Sequence, residues 1–293
     1  MLPNRGIIIH AYNNDKIDYT LIALCNALCI RYNINEKISL ITNNDSIDRL
    51  IENKGEKLIY NTFDKIIIKE TEFNNQKRYG DCNKYHTLSW NNSSRSDTYS
   101  LSPYDETILI DGDYLIMDNT LNLLWGSVHD VMIADKAIPL NHGVIDSSEK
   151  WIQDNSIKMY WATCVYFKKS KKADMLFTLI AHIKTYYDYY AMVYGFNSSQ
   201  YRNDYAFSIA IHILNGFVSG NDEIQTLPFS LFTSFDWDDL IDIPSKNELI
   251  FLVNDKQQKY ILSKTKNMNV HVLNKFALER QAEKMIDLYS TEL

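Results

Sequence analysis

The stretch Thr107–Asn119, TILIDGDYLIMDN, narrows most sharply what this chain can become. Ile108, Leu109 and Ile110 form a short unbroken apolar run, the pattern of a strand buried on both faces of a parallel sheet. Asp111-Gly112-Asp113 follows at once, and Tyr114–Met117 is apolar again. Two carboxylates at the exit of a buried strand cost free energy unless something pairs with them. In open α/β sheets that exit is where ligands sit. Gly112, without a Cβ, lets the backbone turn sharply and a ligand come close. A divalent cation carrying a diphosphate suits such a place, because it needs only a few hard oxygen ligands from the protein. A surface turn with two solvated acids is the plain alternative, and the apolar flanks on both sides argue against it.

The chain before this stretch predicts what the strand belongs to. Ile7–Ile9 reads as a first strand, with the loop His10–Asn14 at its carboxyl end. A helix capped near Asp18 follows, carrying Leu21, Leu24, Cys25, Leu28 and Cys29 on one face. Ile38–Ile41 is a second strand, ending in a turn at Thr42–Asp45. A helix around Ser46–Lys54 leads to a third strand, Ile66–Ile68. This βαβαβ order predicts an α/β fold with a mostly parallel sheet. The 293 residues, 45% of them hydrophobic, can fill the core of one large domain, and no repeat or Pro/Gly-rich linker divides them.

The formal charge of −7 argues against broad nucleic-acid binding. No apolar run is long enough to span a membrane, and MLPNRGIIIHAYNND lacks the features of a signal peptide. Cys25, Cys29, Cys82 and Cys164 show no disulfide framework, so a cytoplasmic setting is expected. Cys25 and Cys29, one turn apart on an apolar face, read as core thiols rather than a metal pair.

Further along, Gly80–Ser102 is polar and aromatic, with a helix expected over Lys84–Trp90. Val131–Ala134 reads as a strand and 141–158, with Asn141-His142-Gly143, as a loop. Residues 159–174 enter a strand that turns at Lys168–Lys172. Leu176–Tyr194 has helical spacing and an aromatic stripe. Arg202-Asn203-Asp204 opens the helix Tyr205–Leu214. Leu249–Val253 and Lys259–Leu262 predict a hairpin turning over Asn254–Gln258. His271 lies in the apolar strand Val270–Leu273, where a lone histidine is most often a core residue. Asp236–Asp239, DWDD, reads as a solvated acidic loop.

ILIDGDYLI resembles the Asp-x-Asp strand of nucleotide-sugar glycosyltransferases with the GT-A fold, including the glycogenin-like group. VHVLNK (270–275) is similar in order and place to that group's late strand, which ends in a His followed by a Lys. It departs in detail: the family's Gly between them is Asn274 or absent, the following Pro-Trp is missing, and the His–Lys spacing is shorter. Ala162-Thr163-Cys164 replaces the family's Asn-x-Gly on the strand beside the Asp-x-Asp strand.

The resemblance implies one GT-A-like domain over 1–293, with a nucleotide-sugar half at 1–140 and an acceptor half at 141–293. It implies a metal-dependent glycosyltransferase. Asp111, Asp113 and His271 would hold Mn²⁺ or Mg²⁺, the imidazole favouring Mn²⁺. Asp111 would share the metal or bind the ribose, and Lys275 would reach the diphosphate. Ala11, Tyr12, Asn13 and Asn14, with Lys84 and Arg95, would lie by the nucleotide sugar, a UDP-sugar being expected. Asp204 is the candidate catalytic base, with a helix cap as its plain alternative. The acceptor would be a glycan, lipid or protein hydroxyl.

Three other readings compete for the same strand. A haloacid-dehalogenase-type phosphatase wants its Asp-x-Asp on the first strand, followed by Gly-Thr. A nucleotidyltransferase wants a glycine-rich loop after strand one, and HAYNND has no glycine. A non-catalytic carbohydrate- or nucleotide-binding protein on the same fold is the third.

Overall fold

The structure, a computed structural model, describes residues 3–71, 75–81, 84–92, 94–141, 151–153, 156–218, 224–254 and 259–292. Cys82, the His142-Gly143 pair and residues 255–258 of the expected hairpin turn lie outside them.

The chain opens with β1 (Arg5–His10), α1 (Tyr19–Asn33), β2 (Ile38–Thr42), α2 (Asn44–Lys54), α3 (Glu56–Thr62) and β3 (Lys65–Ile68). Then come β4 (Asn75–Asp81), β5 (Lys84–Trp90), α4 (Thr98–Leu101), β6 (Glu106–Asp111) and β7 (Tyr114–Leu115). β8 (Val131–Ala134), β9 (Ala137–Pro139) and β10 (Trp161–Lys168) lead to α5 (Lys171–Thr185), α6 (Tyr187–Tyr194) and α7 (Asn203–Leu214). β11 (Gln225–Thr226), β12 (Leu231–Thr233), β13 (Asp239–Asp242), β14 (Glu248–Asn254), β15 (Tyr260–Lys266) and β16 (Val270–His271) precede α8 (Lys275–Tyr289).

The result is an α/β fold with a mostly parallel central sheet flanked by helices. Its strand order among the described residues is β11-β8-β10-β6-β1-β2-β3. The strands expected at Ile7–Ile9, Ile38–Ile41, Ile66–Ile68 and Ile108–Ile110 lie side by side and parallel. β10 runs antiparallel to both of its neighbours. The isoleucine-rich runs of β1, β2 and β6 are fully buried, as strands covered on both faces must be. Helix α1 starts where Asp18 accepts the Leu21 N–H at 2.8 Å, and Ile22 to Ile30 are buried all round. Asn26, inside that buried run, donates to Tyr114 O at 2.8 Å and accepts from Ile116 N at 3.0 Å. One polar side chain thereby fixes the segment that follows the Asp-x-Asp turn.

A second sheet, β7-β16-β12-β9, lies just beyond that turn. β16 pairs antiparallel with β7, His271 opposite Tyr114, and Val272 N donates to Asp113 O at 2.9 Å. The late strand is thereby stitched directly to the turn.

Three local expectations are corrected. Lys84–Trp90 is a strand, not a helix. Its Tyr, Thr and Trp favour extended backbone, and 75–81 supplies a full antiparallel partner, from Asp81↔Lys84 to Asn75↔Trp90. The Lys168–Lys172 turn contracts, because Ser170 caps α5 by accepting from Ala173 N and draws Lys171 and Lys172 into the helix. The 176–194 helix breaks at Tyr186, and the break carries Tyr187 inward against Phe196 and Tyr201.

Candidate metal and ligand site

Asp111 ends β6 beside His10 at the end of β1, so the Asp-x-Asp turn sits at the carboxyl edge of the sheet. The β7–β16 pairing brings His271 to it from 158 residues beyond Asp113 (271 − 113). His271 Nε2 lies 3.4 Å from Asp113 Oδ2 and 3.8 Å from Asp111 Oδ2. One donor atom from each of the three residues falls within 4.8 Å of the others, close enough to share one cation. His271 is not surrounded by aliphatics alone. Thr163 Oγ1 lies 3.4 Å from its Nδ1, which leaves Nε2 facing the carboxylates.

The two carboxylates differ in their surroundings. Burial and the neighbouring Asp113 charge push the Asp111 carboxyl up, against the pull of Arg95 and His271. Burial also pushes Asp113 up, but Lys275 and His271 outweigh it and hold its carboxyl well below the usual range. Arg95, 1% exposed, reaches Asp111 Oδ1 at 2.6 Å through its Nη2 and Ala162 O at 2.5 Å through its Nη1. Lys275 is buried against Asp113. It is also the first residue of α8, where the helix dipole disfavours a cation and the carboxylate offsets that. Asn274 caps α8 by accepting from Ala277 N at 3.0 Å.

A cavity of about 330 Å³ opens over this group. Cations line it (Lys77, Arg78, Arg95, Arg202, Lys275), as do the aromatics Tyr19, Tyr79, Trp90, Trp161 and Tyr201. Asp204 lines it too. It stands in the first turn of α7, the cap position being Arg202, so the helix-cap alternative does not describe it. Its Oδ1 accepts from Ala162 N at 2.9 Å, and its Oδ2 lies 3.4 Å from Arg202. Ala162 and Thr163 sit where β10 shifts register against β8, so an irregular strand end presents backbone and side chain to the site.

Other candidates stand elsewhere. Lys84 is exposed at the end of the β4–β5 hairpin and is not among the cavity-lining residues, and neither are Ala11, Tyr12, Asn13 and Asn14. Tyr12 OH bonds Ser94 Oγ at 2.8 Å, and Asn13 Oδ1 accepts from Thr20 N at 2.9 Å. Asn14 Oδ1 accepts from Ile17 N at 2.8 Å. These side chains fasten the loop to the protein. His10, between Ser94 and Thr98 hydroxyls, is kept neutral by burial and then by Arg95. In the DWDD loop, Asp236 lines the cavity. Asp238 is buried, accepts from Phe235 N and Asn254 N, and is pushed by its burial to about 6. Burial pushes the Cys25 thiol to about 12 and Cys29 well above its ordinary value, as core thiols require. None of the aromatic stripe at Phe177–Tyr194 reaches the cavity.

Lys77, Trp90, Trp161 and Tyr201 are site residues that the sequence did not single out. Period-two placement on β4, once 75–90 is read as a hairpin, would have found Lys77. Nothing local marks the others.

Among the described residues no helix is long and apolar enough to cross a membrane. No family model and no curated protein matches this chain. Among solved structures, the glycosyltransferase GlyE of Streptococcus pneumoniae TIGR4 is similar at 10% identity and TM-score 0.43 over 78% of this chain. The chain spans 46% of GlyE's length. The galactosyltransferase LgtC, in complex with donor and acceptor sugar analogues, is similar at 12% identity and TM-score 0.43, over 75% of this chain and 72% of its own. The inositol-1-phosphate CTP transferase of T. maritima is similar at 10% identity and TM-score 0.41, over 76% and 85%. At such scores a likeness carries no chemistry from one protein to another.

Proposed function

We propose that this chain is a metal-dependent glycosyltransferase that moves a sugar from a nucleoside-diphosphate donor to an acceptor hydroxyl. The observation that carries the reading is the group Asp111, Asp113 and His271 at the carboxyl edge of the sheet, with donor atoms within 4.8 Å of one another. Two carboxylates and one imidazole fit Mn²⁺ or Mg²⁺, and the imidazole favours Mn²⁺. Bound there, the cation would stabilise charge on the diphosphate as the glycosidic bond breaks.

The chain's own residues do the rest. Arg95 holds one oxygen of Asp111 and leaves the other toward His271. Thr163 steadies the imidazole. Lys275 supplies an ammonium for the diphosphate. Trp90, Trp161 and Tyr201 border the cavity, where aromatic rings can pack against a sugar. Asp204, anchored by the Ala162 N–H, is the base that takes the acceptor proton if the anomeric centre inverts. In this reading 1–140 is the donor half and 141–293 the acceptor half of one domain, acting in the cytoplasm on a UDP-sugar.

Transfer of a glycosyl rather than a nucleotidyl group is favoured by the loop after β1. Ala11, Asn13 and Asn14 already give their backbone N–H groups to Ile41 O, Ser46 Oγ and Ile17 O, so they are not free to cradle a triphosphate. The test is release of nucleoside diphosphate from a panel of nucleotide sugars with Mn²⁺, with Asp113→Asn as the inactive control. Binding without release would make the chain a non-catalytic receptor. Pyrophosphate release from a nucleoside triphosphate would make it a nucleotidyltransferase.

A further inference from the structure

We propose that Lys77 is a second phosphoryl-binding cation of this site, brought by the β4–β5 hairpin to meet the donor's diphosphate together with Lys275. The inference rests on the transferase reading and adds to it a residue from an element outside both the central sheet and the Asp-x-Asp strand.

Side chains alternate along β4, and Lys77 shares a face with Tyr79, which is buried. Gln76 and Arg78 on the other face are exposed, and Arg78, which only borders the cavity, lies over the Tyr85 ring at 3.7 Å. Lys77 therefore points inward, and it lines the cavity. Its Nζ lies 5.8 Å from the Tyr79 ring centre and 5.7 Å from that of Trp90, at the weak end of cation–π attraction.

Asp111 answers Arg95, Asp113 answers Lys275 and Asp204 answers Arg202. Among the described residues no carboxylate lies within ion-pair distance of Lys77, and no hydrogen-bond acceptor takes its protons. Its ammonium is pushed down to about 8, first by burial and then by the nearby Lys275 and Arg202 charges. The more distant Asp113 and Asp111 charges oppose this without pairing with Lys77, so an inward cation beside two other cations has no anion in contact, and a diphosphate supplies one.

The hairpin is clamped, so this placement is built rather than incidental. Arg280 of α8 holds Asp81 at 3.0 Å, Tyr19 OH donates to Tyr79 OH at 2.7 Å, and Asn14 Nδ2 donates to Ser89 O at 2.8 Å. Gly80 lies so close to Asp236 that a Cβ there would come within 2.7 Å of its Cγ.

Isothermal titration tests the assignment with two probes: inorganic pyrophosphate without metal, and UDP with Mn²⁺. Lys77→Met keeps the apolar stem and removes the charge. It is expected to weaken both probes about tenfold, the loss of one charge-assisted hydrogen bond, with an unchanged unfolding midpoint. Lys77→Arg is expected to restore most of the loss. An Mn²⁺-dependent UDP affinity that Lys77→Met leaves unchanged overturns the assignment and spares the transferase reading. Pyrophosphate held through Lys77 in a protein that does not take UDP with Mn²⁺ upholds Lys77 as a phosphoryl site and sinks the donor reading. A wild-type chain that binds neither probe overturns both.

Discussion

Arg95 shows how much of this site depends on single buried charges. Its guanidinium is almost fully enclosed, and its Nη2 lies 2.6 Å from Asp111. Removing one partner of a buried ion pair strands the other. Arg95→Met should therefore destabilise the fold by about 3 kcal/mol at neutral pH. Asp111 already has its carboxyl raised by burial and Asp113, and the variant loses the charge that most opposes this. An acid whose folded pKa is raised contributes most stability below its unfolded value, near pH 4, and loses it as pH rises through the folded value. The deficit of Arg95→Met should accordingly grow from pH 4 upward. Urea unfolding of both proteins at pH 4.5 and 8 checks this, and a deficit that does not change with pH would contradict it. The sequence marked Arg95 as a candidate, but not that it would be buried: nothing in NNSSRSD says that the chain folds it beneath Ala162.

Elements carry the long-range geometry. His271 reaches the Asp-x-Asp turn because β16 pairs with β7, and Val272 N closes that pairing on Asp113 O. Val272→Pro removes this N–H. It should abolish Mn²⁺ binding, read by titration calorimetry, while the central sheet persists by circular dichroism; retained Mn²⁺ affinity would show that the pairing does not position the imidazole. The neighbouring Asn269 Oδ1 accepts from both Met117 N and Asp118 N, so Asn269→Ala leaves two backbone donors unpaired. That should cost about 2 kcal/mol in urea unfolding. The apolar runs at 7–9, 38–41 and 108–110 were legible because a strand buried on both faces has one readable pattern, and 66–68, only partly buried at the edge of the sheet, shows the same β-branched run. KYHTLSW was not, since a half-exposed hairpin strand with mixed polarity fits either period until its partner is known. Thr163 was visible only as a departure from the family's Asn-x-Gly. Its use follows from a register shift that the sequence does not display.

At the scale of the whole molecule, the site gathers residues from His10 to Lys275 in a chain whose net charge is −7. Cations are concentrated around two carboxylates that face an imidazole, so the arrangement is balanced for a cation and an anion arriving together. A ligand that binds only this assembly stabilises the entire fold by mass action, because unfolding anywhere between those residues scatters its contacts. At a concentration of about 100 times Kd the gain is about 2.7 kcal/mol. For a chain of this length that is a rise in unfolding midpoint of about 4 °C. We expect this rise with UDP and Mn²⁺ together, reversal on chelation, and no rise in Asp113→Asn, which should stay folded from a lower starting midpoint because buried Lys275 loses its partner. Mn²⁺ alone should raise the midpoint less, since Lys275 competes for the same Asp113 oxygen that the cation needs. Differential scanning fluorimetry with each component separately and combined reads all four arms. A midpoint raised equally by UDP with and without Mn²⁺ would mean that the nucleotide binds away from Asp111, Asp113 and His271. The three residues would then be a polar knot that holds β7 to β16.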